Sequence, residues 1–211
     1  SGTTTINDST LDLGTTTQTQ ALVSLSNGIA TNGTFNNTAI LGKGGTNTTA
    51  TALIGTSSVT NAAGTNILTS SGNSYTGGNT ITGGTLQVAT TSSLGATTNN
   101  LSISGNGTLD LLNGTQTQGN VTVTNGNIIS GTLTNSGITF TGGSNNITAA
   151  LAGVGGLTNA AGSTTLTGVN TYSGGTVVNG GSLYVSGNGT LGSASGTTTI
   201  NDSTLDLGTT T

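Results

Sequence analysis

Five carboxylates (Asp8, Asp12, Asp110, Asp202 and Asp206), one ammonium (Lys43) and three phenols (Tyr75, Tyr172 and Tyr184) are all the titratable side chains in 211 residues. General acid–base catalysis needs two such groups in different environments, and Asp8 with Asp12 is the candidate pair. Both have a structural reading: Asn-Asp before a strand makes a corner, and the alternation in "LDL" turns its Asp away from the apolar side. The chain has no His, Cys or Glu, so imidazole bases, thiol nucleophiles and thiolate metal sites are excluded. Five Asp are too few for calcium, which takes six or more oxygens. We therefore expect no catalytic residues, no cofactor and no metal.

The remaining chemistry-bearing motifs are equally thin. "GKGG" at Gly42 and "GVGG" at Gly153 lack the Lys-Ser/Thr ending and the following helix of a phosphate loop, and read as turns. One cation cannot neutralise a phosphate backbone, which excludes nucleic acid as a partner. The tyrosines read as corner packing rather than sugar-stacking platforms.

What must be positioned, then, is a scaffold. Thr (51), Gly (38), Asn (25) and Ser (23) make up two thirds of the chain, and there is no Pro. Disordered polar chains carry Pro and net charge; this one has six charged residues and enough Val, Ile and Leu to form a core. Without Pro, every residue after the first can donate to a backbone ladder. Gly or Asn every few residues leaves no window for a helix. No apolar run is long enough to span a bilayer, so no membrane insertion by this segment is expected.

Repetition sets the architecture. "SGTTTINDSTLDLGTTT" at Ser1–Thr17 returns unchanged at Ser195–Thr211, which predicts a tandem array with one unit at 1–194 and the start of the next at 195–211. "TLDLGTTTQTQ" at Thr10 aligns with "TLDLLNGTQTQ" at Thr108, and "TNAAG" at Thr60 with Thr158, so the unit has two related halves, about 1–97 and 98–194. "GGTLQV" from Gly83 matches "GGSLYV" from Gly180 at 97. Apolar residues fall in a column Leu11, Phe35, Val59, Leu86, Leu109, Leu133, Leu157, Leu183, Leu205, with gaps of 22–27. A second column runs about five residues ahead: Ile6, Ile29, Leu53 or Ile54, Ile81, Ile103, Ile128, Leu151, Val178, Ile200. Local alternation in "TLQV", "SLYV" and "VTV" is that of strands. Together these predict an all-β parallel solenoid of about 24 residues per rung and about eight rungs per unit. Its axial repeat would be roughly 38 Å at the usual strand spacing.

"NSYTGGNTITGGTLQVATTSSLG" from Asn73 and "NTYSGGTVVNGGSLYVSGNGTLG" from Asn170 share an N-x-Y-[ST]-G-G opening, an L-x-V strand and a closing L-G. The shared positions are Asn73, Tyr75, Gly77, Gly78, Leu86 and Val88, and Asn170, Tyr172, Gly174, Gly175, Leu183 and Val185. In these stretches the sequence resembles the autotransporter-associated β-strand repeat, the passenger-associated repeat of Gram-negative surface adhesins. The resemblance implies a right-handed parallel β-helix displayed outside the cell, as passenger or stalk.

Two functions follow as expectations. The first is a structural extracellular fibre or adhesin stalk whose partner is itself, end to end along the fibre and laterally. The alternative is a ligand-binding solenoid that grips surface glycans or presents Thr-x-Thr arrays to ice; "TQT" at Thr17 and Thr115 and "TVT" at Thr122 suggest such arrays.

Overall fold

The computed structural model describes residues 2–36, 39–90 and 93–208. Ser1 and Thr209–Thr211 of the duplicated segment, and Thr91 and Ser92 of the first motif, lie outside the described residues. The architecture is all-β, a parallel solenoid of about eleven turns with no helix among the described residues. All strand pairs are parallel and link segments 17–23 positions apart, so the backbone ladder runs along the solenoid axis. A single rung buries little; its neighbours above and below complete both ladder and core.

Each turn has three sides. The first face stacks strands beginning with Thr3–Asn7, Leu22–Ser26 and Ala39–Gly44. The second stacks Thr10–Asp12, Ile29–Thr31 and Thr46–Thr49. The third carries Thr17–Gln18, Thr34–Asn36 and Ala52–Ile54, and resumes where Thr115–Thr124 and Thr132–Ile147 begin. Alternation places one side chain in two inside, and thirty-four buried apolar residues among those described form one continuous core cluster. Asn and Asp occupy left-handed corners between the first two faces, where a short polar side chain lowers the cost of positive φ: Asp8, Asn27, Asn106, Asn125 and Asp202. These corners bond to one another along the axis, as in Asn27 Nδ2 to Asp8 Oδ1 at 2.8 Å and Asn125 Nδ2 to Asn106 Oδ1 at 2.8 Å.

The turn is shorter than the sequence columns suggest. On the first face Thr4 pairs with Val23, and the register continues through Ile40, Val59, Asn79, Leu101, Val121, Ile138, Leu157 and Thr176 to Thr198, and these eleven residues mark rungs 1 to 11 in order. Thr4 and Thr198 stand one full sequence repeat apart, and ten pairings connect them. Leu101 lies midway, so each half makes five turns. A turn therefore takes about 19 residues rather than about 24, and the unit has ten rungs rather than eight.

The predicted column does not stack as one. Of its consecutive members, only Leu86 with Leu109 and Leu183 with Leu205 are ladder partners. Leu11 pairs with Ala30, Phe35 with Leu53, Val59 with Ile40 and Asn79, Leu133 with Leu151, and Leu157 with Ile138 and Thr176. All nine point inward all the same: seven are fully buried, and Leu11 and Leu205, on the terminal rungs, pack partly buried against the core.

Close stacking of corners gives the glycines unequal importance. Gly84 has φ 62°, and a Cβ there would strike the Gly64 backbone of the rung below; Gly187 has φ 60° with open space around it. Gly187→Ala should cost only the left-handed strain, about 1–2 kcal/mol, and Gly84→Ala clearly more. Paired melting curves check the ranking.

Candidate functional site

Asp8 and Asp12 occupy different faces of the first turn. Asp8 sits at a first-face corner and accepts a bond from Asn27, whereas Asp12 ends a second-face strand and accepts from Asn32 Nδ2 and the Gly14 amide, both at 2.8 Å. Asp206 repeats the local half of this arrangement with Gly208 N at 2.7 Å. Among the described residues, no three His, Cys, Asp or Glu side chains gather as a metal site would require. Asp110 differs from the expected exposed "LDL" position: it is 9% exposed, with Gln87 Nε2 on Oδ2 at 3.1 Å and Leu112 N on Oδ1 at 3.0 Å.

The hydrogen bond from Asn32, followed by that from Gly14 N, holds the Asp12 carboxyl below the usual carboxylate range. A folded pKa below the unfolded one contributes stability above the unfolded pKa and loses it as pH falls through the folded value. Asp12 is fully exposed, so the effect is small. Acid titration of melting temperature should therefore fall slightly less steeply in Asp12→Ala than in the parent.

The Asn-x-Tyr motif builds the most elaborate side-chain arrangement. At Asn73–Gly78 and Asn170–Gly175, five turns apart, it replaces the third-face strand. Asn73 Oδ1 accepts Leu53 N of the rung below at 3.0 Å while Nδ2 donates to Ser93 O of the rung above at 3.0 Å. Asn170 does the same between Leu151 N (2.8 Å) and Thr190 O (2.7 Å). The motif Asn is a staple through three rungs.

Tyr75 and Tyr172 turn inward and fill the core left without a strand, at 0% and 1% exposure. Tyr75 Oη donates to Asn79 Oδ1 at 2.6 Å, and Asn79 Nδ2 continues to Leu94 O (3.0 Å) and Gln118 Oε1 (2.9 Å). Tyr172 Oη meets Thr176 Oγ1 at 2.7 Å. Desolvation raises both phenols above their ordinary pKa, Tyr75 far above it, so they stay neutral; the bonds to Asn79 and Thr176 only partly offset it. The glycines make this corner possible. A Cβ on Gly77 would collide with the Thr56 and Ser57 carbonyls, and one on Gly95 or Gly192 would enter the Tyr75 or Tyr172 ring. Leu86, Val88, Leu183 and Val185 of the rungs above are buried. Asn, Tyr, Gly-Gly and Leu-Gly are thus one packing unit. Tyr184, by contrast, is 38% exposed on the second face.

The outer surface carries an array that the longer spacing of the sequence columns had concealed. On the first face Thr60, Thr80, Ser102, Thr122, Thr139 and Thr158 are successive ladder partners. Six hydroxyls therefore recur at about 4.8 Å, the spacing of paired strands. Five of these residues, all but Thr60, help line two shallow grooves that share Asn120 and Thr122. Counting in steps of 17–22 from Thr60 would have revealed the row.

Residues 63–88 and 161–185 match the family model of the Passenger-associated-transport-repeat. Both matches begin about ten residues before the motif Asn and end on the buried Val88 and Val185, so they span the second-face strand, the Tyr corner and the L-x-V strand above it. The repeat recognised in the sequence is this one, and the fold and repeat together fit an autotransporter passenger or adhesin stalk. The family implies a secreted or surface-exposed domain. Neither the curated proteins nor the solved structures contain a match to the chain.

Proposed function

We propose that this chain is a segment of an extracellular fibre or adhesin stalk that extends by adding turns end to end, with a right-handed coil set by the twist of its strands. The observation that carries the reading is the closure of ten turns on one sequence repeat. Thr198–Ile200 and Thr204–Asp206 carry the same residues as rung 1, and each pairs with one strand only among the described residues. The contact that rung 2 makes with rung 1 can therefore be remade on rung 11. Lateral contacts would rest on hydroxyls and amides, because one Lys and five Asp leave little charge for attraction or repulsion.

Ten rungs at 4.7–4.9 Å give an axial repeat of about 48 Å. Filaments of the purified protein should show that spacing by electron microscopy and power-spectrum analysis. A shorter repeat of about 38 Å, which eight rungs would give, or a protein that stays monomeric at high concentration, would contradict the proposal.

The row of six hydroxyls favours a second reading, in which the first face binds an uncharged glycan or ice. Thermal hysteresis and glycan-array binding test it; null results in both remove it.

A further inference from the structure

The inward positions of the two halves differ in polarity inside rungs 3 and 4. The inward positions of rung 3 are Ile40, Gly42, Asn47, Thr49, Thr51 and Leu53; those of rung 8, five turns on, are Ile138, Phe140, Asn145, Ile147, Ala149 and Leu151. Ladder pairing confirms the equivalence. Gly42 pairs with Asn61 as Phe140 pairs with Asn159, Asn47 with Asn66 as Asn145 with Thr164, and Thr49 with Leu68 as Ile147 with Leu166. Rungs 3 and 4 therefore lack a benzyl group, gain the hydroxyls of Thr49 and Thr51, and carry the amide of Asn66 where Thr164 stands in the second half.

In the second half every polar atom at these positions is satisfied. Thr164 Oγ1 donates to Asn159 Oδ1 at 2.7 Å and accepts from Asn145 Nδ2 at 3.1 Å, while Asn159 Nδ2 donates to Gly180 O at 2.7 Å. In the first half Asn61 Nδ2 keeps the corresponding bond to Gly83 O at 2.7 Å. Among the described residues, Asn61 Oδ1, both amide atoms of Asn66, and the hydroxyls of Thr49 and Thr51 have no partner. All four residues are 0–1% exposed. A Cβ on Gly42 would lie 2.9 Å from Asn66 Nδ2 and 3.0 Å from Asn61 Oδ1, so both unpartnered amide atoms stand against the inward side of Gly42, where Phe140 carries its side chain in the second half.

We propose that rungs 3 and 4 enclose a binding site for a small cluster of ordered water molecules, centred between Gly42, Asn61 and Asn66. The chemistry selects water. Asn66 Nδ2 needs an acceptor, Asn61 Oδ1 and Asn66 Oδ1 need donors, and each Thr hydroxyl needs both; one species supplies both roles without charge. A cation would leave Asn66 Nδ2 unmet, and no buried carboxylate lies on these rungs to balance it. An apolar guest would leave all five atoms unpaired at a substantial cost. Every repeat unit would then contain one hydrated segment, with its dry counterpart five turns away.

Magnetic relaxation dispersion of the water signal on the intact chain is the first test. Waters with residence times beyond a microsecond should be present, and should disappear in the variant Gly42→Phe/Thr49→Ile/Thr51→Ala/Asn66→Thr, which gives rungs 3 and 4 the residues of rungs 8 and 9. The second test is a crystal structure of the unmodified chain, which stays decisive if the variant fails to fold. Density peaks within hydrogen-bond distance of Asn61 Oδ1 and Asn66 are expected. Overturning results would be no long-lived water, a dispersion unchanged in a folded variant, or an Asn66 amide that turns to bond Asn61 directly with no peak beside it.

Discussion

Tyr75→Ala and Tyr172→Ala should each destabilise the solenoid by about 3–5 kcal/mol, the range for removing a large buried aromatic. Each ring stands where the third face has no strand, with a glycine pressed against it from the rung above, so collapse of neighbouring backbone cannot easily refill the space. The phenylalanine variants separate packing from hydrogen bonding. Tyr75→Phe keeps the ring but takes the hydroxyl donor from Asn79 Oδ1, which is buried and tied at its other end to Leu94 O and Gln118 Oε1. An acceptor left bare in that setting costs about 1–3 kcal/mol. Tyr172→Phe leaves Thr176, whose hydroxyl also reaches Leu191 O at 3.4 Å, and should cost less. Denaturant melts of the four variants check both rankings; equal losses for the two Phe variants would mean that the Asn79 network contributes little.

The parallel all-β class was legible in composition and alternation, and the motif positions were legible as a repeated pattern. The turn length was not, for a geometric reason. From Leu11 the ladder partner is Ala30, nineteen positions on; Phe35 lies five further along the same turn, on the next face. From Phe35 the partner is Leu53, and Val59 is six beyond it. A step of 24 is thus one turn plus one face. It lands on an inward position each time and so collects buried residues, while walking around the three faces instead of up one of them. Six of the eight steps are of this kind and two, Leu86 to Leu109 and Leu183 to Leu205, are single turns; eight steps and ten true turns therefore span the same sequence repeat, which is why its total length could not choose between them. The large residue volumes that would mark a single column are also missing: inward positions alternate between Leu, Ile, Asn, Thr and Ala, since neighbours on adjacent rungs share the core. The stapling by Asn73 and Asn170 was invisible for another reason. Their partners are backbone atoms of Leu53, Ser93, Leu151 and Thr190, and a backbone partner leaves no trace in residue type.

Leu109→Asp and Asp110→Asn, one position apart, test the inside and outside of the second face. Leu109 is fully buried between its ladder partners Leu86 and Ile128. A carboxylate there would have no cation in reach, because Lys43 is the only basic residue and lies on rung 3, three rungs away. The group would be forced to protonate, and even the neutral acid would lack hydrogen-bond partners among Leu and Ile. The loss should be at least about 4 kcal/mol, at the diagnostic end of single substitutions, and smaller in acid than at neutral pH. Asp110→Asn is milder although Asp110 is covered. Its Oδ1 still accepts from Leu112 N, and rotation of the Gln87 amide presents Oε1 to the new Nδ2. A loss of about 1 kcal/mol or less is expected. Melting temperatures at pH 7 and pH 4 give the ranking and its pH dependence together. If Asp110→Asn proved the more damaging, or if Leu109→Asp showed no relief in acid, the second-face strand at Thr108–Asp110 would be turned the other way, with Leu109 toward solvent.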